Sequence, residues 1–122
     1  MTDQRLPPEC RLRRSADFDK TYKRRRSVSD GRIVLYGCEN GFEYCRIGLS
    51  VSSRLGGAVV RNRWKRLLRE AFRLHRQELP GGIDLVVVPR VGSHPDLAWL
   101  EELLVHLAGK VAKRLAQDAS RS

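Results

Sequence analysis

Apolar positions along the chain follow two periods. From Ser15 to about Lys23 the spacing is helical: Phe18 and Tyr22 lie four apart on one face, Asp17 falls in the first turn, and Ser15 stands where a cap is needed. Arg32 to Cys38 reads as a strand, and Tyr44 to Val51 as its return partner across the turn signal Asn40-Gly41. Ser27 to Asp30 admits a further short strand. Ser52 to Gly57 reads as a loop, and a long helix from about Ala58 to Leu79 is stopped by Pro80-Gly81-Gly82. Ile83 to Val88 is nearly continuous in apolar residues, which suits the centre of a sheet. Pro89 to Pro95 reads as a loop and Leu97 to about Gln117 as a final amphipathic helix. The pattern predicts an α+β fold with a small mixed sheet: one compact domain over residues 10–117, a flexible segment 1–9 and a frayed polar tail 118–122.

Length and composition agree with one domain. The chain has 122 residues and a net charge of +10, and 41% of its residues are hydrophobic, too many for a disordered chain. No apolar run reaches the roughly 18 residues of a membrane helix, and no apolar stretch follows Met1-Thr2-Asp3-Gln4-Arg5 as a secretory signal requires. Cys10, Cys38 and Cys45 form neither a disulfide framework nor a zinc cluster. The expected setting is therefore reducing and cytoplasmic. Cys38 and Cys45 fall on strands expected to pair, in a register that does not set them opposite each other, so no disulfide is expected between them.

The charge is concentrated. Residues 5–26 hold nine Lys or Arg, residues 61–76 hold seven, and the other 84 residues carry eight against ten acidic ones. At about 100° per residue, Trp64, Leu67, Leu68, Ala71, Phe72 and Leu74 fall in one arc of the long helix, while Asn62, Lys65, Arg66, Arg69, Arg73 and Arg76 fall in the opposite one. Glu70 lies between Arg63 and Arg66 and can offset only one of them. A solvated face normally mixes signs. This one has a single sign and is rich in Arg, whose planar fork suits phosphate. A membrane-surface role would need the apolar face free, yet so small a domain needs that face for its core. In the first basic segment, Phe18 and Tyr22 stand between Arg11, Arg13, Arg14 and Lys20, Lys23, Arg24, Arg25, Arg26, and Tyr36 lies mid-strand. Rings beside cations are what single-stranded nucleic acid uses, although plain core packing of Phe18 and Tyr22 is an equal alternative.

Three blocks carry a family resemblance. They are Gly48-Leu49-Ser50-Val51-Ser52 running into Ala58-Val59-Val60-Arg61-Asn62-Arg63 and on through Lys65 to Arg73; Arg11 to Phe18; and the strands Arg32 to Tyr36 and Asp84 to Arg90. In their order along the chain, over about residues 10–115, these blocks resemble the protein subunit of bacterial ribonuclease P. The resemblance implies an α-β-β-β-α-β-α order with a left-handed βαβ crossover, against the usual hand. It implies a cytoplasmic protein, one per RNA, that binds the ribonuclease P RNA and the 5′ leader of precursor tRNA. The RNA, with magnesium, cuts at the mature 5′ end. It also implies that Arg61, Asn62, Arg63, Lys65, Arg66, Arg69 and Arg73 face the RNA subunit, and that Arg14, Phe18, Tyr22 and Tyr36 line the leader cleft. Two departures stand out: Ser53-Arg54 before Gly56-Gly57 replaces the usual lysines, and Trp64 replaces a smaller aliphatic residue.

No catalytic or metal-binding side chains are expected. His75, His94 and His106 look isolated, and no carboxylate pair stands near a His at ligand spacing. The alternatives are a structural ribosomal-type RNA-binding protein without a catalytic partner, and, more weakly, a DNA-binding regulator. The regulator lacks a second helix a short turn before the basic one.

Overall fold

The computed structural model describes residues 6–121. The elements are α1 (Ser15–Lys23), β1 (Ser27–Ser29), β2 (Ile33–Glu39), β3 (Arg46–Leu49), α2 (Ala58–Leu74), β4 (Ile83–Pro89) and α3 (Leu97–Arg121), with short 3-10 turns at Pro8–Cys10, Ser53–Leu55 and Arg76–Glu78. The fold is α+β in the α-β-β-β-α-β-α order. The four strands form one mixed sheet in the order β1-β2-β4-β3.

The pairing differs from the hairpin that the Asn-Gly signal predicts. β2 runs antiparallel to β1 and to β4, where Ile33 faces Pro89 and Glu39 faces Ile83. β3 does not pair with β2; it lies parallel to β4, with Arg46 opposite Asp84 and Leu49 opposite Val87, so β3, α2 and β4 form a crossover unit. The turn itself exists: Gly41 takes a positive φ of 75° and the Phe42 N–H donates to Asn40 Oδ1 at 2.8 Å. Its flanks, however, bond to the start of β4. The Asn40 N–H donates to Gly82 O and the Gly82 N–H to Tyr44 O. β4 is buried on both faces and offers seven partners to β2, whereas β3 has only four residues, so β4 displaces it. All three cysteines are free and buried, and burial raises each thiol, Cys45 to about 12.

Alternation along the strands separates two faces. Ile33, Leu35, Ile47, Leu85 and Val87 join the core under α2 and α3. Gly37 opens onto that face: a Cβ there would lie 2.9 Å from Val111 of α3. The opposite face carries α1, and a Cβ at Gly48 would lie 2.7 Å from the Phe18 ring. Among the described residues α1 and the preceding Leu12 cover only part of this second face, and Val34, Tyr36 and Val88 stay half-exposed on it.

Several element ends differ from the pattern. Ser15 is the first helical residue of α1, not its cap; Arg14 occupies the cap position, without a side-chain capping bond. α2 stops at Leu74, because His75 leaves the helix (φ −116°, ψ 17°) and a 3-10 turn carries the chain to buried Leu79. α3 continues beyond Gln117 into the expected tail. There Asp118 accepts from Arg24 at 3.0 Å and from Arg26 at 2.5 and 2.8 Å, anchoring the last turns to the end of α1. Of the expected flexible segment, residues 1–5 lie outside the described residues. Leu6, 4% exposed, packs into the core, and Arg11 bridges to Ile47 along the free edge of β3. No described helix is long and apolar enough to cross a membrane.

His75 is not isolated either. Its ring nitrogens lie 2.8 Å from Glu78 and 3.2 Å from Glu101 of α3, which hold its pKa above the usual value. A positive charge at the end of α2 also complements the helix dipole. A raised folded-state pKa contributes stability that is complete below the unfolded value of about 6.5 and fades as pH rises through the folded value. The wild type is therefore expected to exceed His75→Ala in urea stability near pH 6 by a margin that shrinks towards about pH 9. A margin constant across that range would remove the linkage.

Candidate nucleic-acid interface

α2 presents two faces, as its period requires. Trp64, Leu68, Ala71 and Phe72 are fully buried, so Trp64 is a packing residue, while Asn62, Arg63, Arg66 and Arg69 stand exposed; Leu74, expected on the buried arc, is exposed because it is the last residue of the helix, beyond the cover of the core. Arg61, Arg63, Lys65, Arg66 and Arg69 have no ion pair among the described residues. Arg73 differs. It forms an ion pair with Glu70 one turn before it, so the helix's single acid is spent there and not on Arg63 or Arg66. Arg76 falls beyond the helix, in the 3-10 turn. The buried Arg61 Nε and Trp64 Nε1 lack protein partners.

The first basic segment divides. Arg24 and Arg26 are taken up by Asp118, and Arg24 also by Glu39 at 3.0 Å. Arg11 and Arg13 instead meet α2. With Lys65 and Arg69 they surround a pocket of about 330 Å³ whose apolar lining is Leu6, Leu12, Ile47, Leu49 and Phe18. Among the described residues no carboxylate lines it. Burial, and next the nearby Arg11 guanidinium, lower the pKa of Arg69. Arg11 Nε is buried there without a partner. Two segments separated by about 50 residues of sequence thus form one positive surface. Neither segment signals this by itself; it follows from the docking of the N-terminal segment along β3.

The aromatic residues line the open sheet face beside it. Phe18 sits over Gly48 and borders the pocket. Tyr22, one turn later, meets Tyr36 of β2 edge to face, with centroids 5.0 Å apart. All three rings are half-buried, which combines the packing and stacking readings: one side of each ring rests on the protein and part remains accessible. Arg14 is exposed one turn before Phe18. The structure therefore groups Arg14, Phe18, Tyr22 and Tyr36 along α1 and the sheet, next to the cationic face of α2.

One charged cluster joins residues that the local pattern does not connect. Asp84, 2% exposed, accepts two bonds from Arg46 at 2.7 and 2.6 Å and one from Asn40 Nδ2 at 3.0 Å. The Arg46 guanidinium also lies 4.9 Å from the Phe42 ring. The available signal was an acid inside an apolar strand, which requires a partner. Among the described residues no three His, Cys, Asp or Glu side chains gather as a metal site.

A small α+β domain that joins a helix with a largely unpaired cationic face to a shelf of half-buried rings belongs, by its chemistry, with nucleic-acid-binding proteins. The comparisons specify which. The family model for Ribonuclease P matches residues 6–112. The ribonuclease P protein component of Alkaliphilus oremlandii is 37% identical over 103 residues, covering 83% of this chain and 90% of the relative. That of Staphylococcus aureus is 40% identical over 109 residues, covering 88% and 92%. Among solved structures, the Staphylococcus aureus RNase P protein superposes with a TM-score of 0.74 at 35% identity over 85% of this chain and 95% of its own. The Thermotoga maritima protein gives 0.75 at 33%, over 82% and 96%. The chain belongs to the ribonuclease P protein family, and its role is that of a protein component of ribonuclease P.

Proposed function

We propose that this chain binds the catalytic RNA of ribonuclease P through the exposed face of α2 and the single-stranded 5′ leader of precursor tRNA along α1 and the open sheet. In this reading Arg61, Asn62, Arg63, Lys65, Arg66 and Arg69 approach the RNA subunit. Arg73, neutralised by Glu70, contributes less charge. Phe18, Tyr22 and Tyr36 offer ring surface to unstacked bases, and Arg14 pairs with a leader phosphate. The observation that carries the reading is the pocket where Arg11 and Arg13 meet Lys65 and Arg69 beside Phe18, lined by no carboxylate among the described residues. There a leader lying on the rings and an RNA lying on α2 come together, and one cationic surface offsets the repulsion between them.

Hydrolysis at the mature 5′ end is assigned to the RNA. Magnesium goes with it in this reading, as the family resemblance implies; the buried acid Asp84 is held by Arg46 and Asn40. The reading places one protein on each RNA, in the cytoplasm, at the step that removes tRNA leaders.

The test is cleavage of a precursor tRNA by a bacterial ribonuclease P RNA at low magnesium, with and without this protein. Rescue with a cut at the mature 5′ end is expected. A folded protein that binds RNA in a salt-dependent way without rescue would point to a structural RNA-binding role. Phe18→Ala and Tyr22→Ala are each expected to weaken binding of leader-bearing substrate by about tenfold. They should leave affinity for the RNA subunit unchanged; equal loss of both would assign these rings to packing alone.

A further inference from the structure

The cationic face of α2 contains two residues that charge neutralisation does not explain. Val59 is 84% exposed. At about 100° per residue it lies directly opposite buried Leu68, at the margin of the positive arc between Arg66 and Arg63. Its neighbour Val60 turns towards Gly56, where a Cβ would lie 3.1 Å away. Asn62, one turn after Val59, makes no side-chain hydrogen bond among the described residues. Both residue types are weaker helix formers than Ala or Arg. In the free protein neither gains anything from its position. Together with Arg63, Lys65, Arg66 and Arg69 they line a shallow groove of about 570 Å³, within the size range of small-ligand sites.

Phosphate recognition uses cations and N–H donors and has no use for an exposed valine. An unpaired nucleoside does. Its ribose or ring face offers an apolar surface, and its base edge offers hydrogen bonds. The Asn amide carries one donor and one acceptor side by side, which matches the N7 acceptor and N6 donor of adenine, while Arg and Lys match the two acceptors of guanine. We infer that Val59 and Asn62 read one unpaired adenine of the partner RNA. Val59 covers its apolar surface, Asn62 bonds its Hoogsteen edge, and Arg63 and Arg66 hold the phosphates on either side. This rests on the proposed RNA-binding role and adds base selectivity to a face otherwise read as purely electrostatic.

The test uses the full-length protein and ribonuclease P RNA across a salt series. Val59→Ala and Asn62→Ala should each weaken binding about tenfold without changing the slope of log affinity against log salt, whereas Lys65→Ala should reduce that slope by about one unit. Alanine is the better helix former at both positions, so the variants should melt no lower than the wild type, and a loss of affinity cannot come from unfolding. The second arm randomly replaces adenosine by 7-deaza-adenosine in the RNA. Interference should appear at one unpaired position and vanish with Asn62→Ala. Wild-type affinity in both variants, or interference from phosphate modification alone, would overturn the base-reading inference and leave the RNA-binding role standing. Failure of the wild-type protein to bind that RNA at all would overturn both.

Discussion

Replacing Lys65, Arg66 and Arg69 together by alanine is expected to lower affinity for ribonuclease P RNA by about 500-fold near 0.1 M salt and to change it little near 1 M. Each cation that meets a phosphate releases counterions and adds about 0.9 to the salt slope, worth about eightfold over that tenfold range of salt. Three such contacts multiply to about 500-fold, and the slope should fall by nearly three units. None of the three side chains has an ion pair among the described residues, so no internal partner is stranded by their removal. Removing the like-charged pair Lys65 and Arg69, at i and i+4, should if anything favour the helix. The same triple change applied to Arg24, Arg26 and Arg32 provides the contrast. Each of these is engaged with an acid, so its loss should cost stability more than RNA affinity. A triple α2 variant that keeps the wild-type slope would remove this face from the interface.

Asp84→Ala is expected to cost about 3–5 kcal/mol, a large part of the 5–15 kcal/mol typical of a domain. Asp84 is nearly inaccessible, and its removal takes both close acceptors from the Arg46 guanidinium and leaves the Asn40 amide with only Tyr44 O at 3.1 Å. Arg46 sits on β3 beside β4, and its second ion pair, at 3.8 Å, is with Asp17 of α1. The loss should therefore loosen α1 as well and weaken leader binding beyond the global destabilisation. Urea denaturation measures the first effect. The pair need not be favourable overall: the double variant Asp84→Leu, Arg46→Met should recover much of the loss, because exchanging a buried ion pair for apolar side chains of similar size is often neutral. A cost below about 1 kcal/mol for Asp84→Ala would show that water reaches the site and satisfies Arg46.

The charge balance of the surface could not be read from composition. Of the run Arg24-Arg25-Arg26, two members are held by Asp118, an acid 92 or more residues away that the pattern assigned to a loose tail. Arg25, left between them, takes a left-handed φ of 58° at the end of α1 and is exposed. The apparent cluster after α1 is thus largely structural, while Arg11 and Arg13 before it are the residues that join α2.

What the sequence by itself determined is what depends on neighbours three or four residues away. The two faces of α2, the helical pairing of Phe18 with Tyr22 and the central place of the apolar run Ile83 to Val88 all follow from local periodicity and survive in the structure. The order of blocks around Arg61-Asn62-Arg63 was enough for the family. Tertiary structure alone decided which strands touch and which charges remain free. β3 left its turn-linked partner for β4 because pairing is settled by the competition for the strand that buries the most apolar surface, and a two-residue turn signal is too weak to oppose that. The pocket between Arg11 and Arg69, and the loss of Arg24 and Arg26 to Asp118, arose in the same way. They join residues far apart in sequence, and only the packed chain sets the distances on which electrostatic pairing depends.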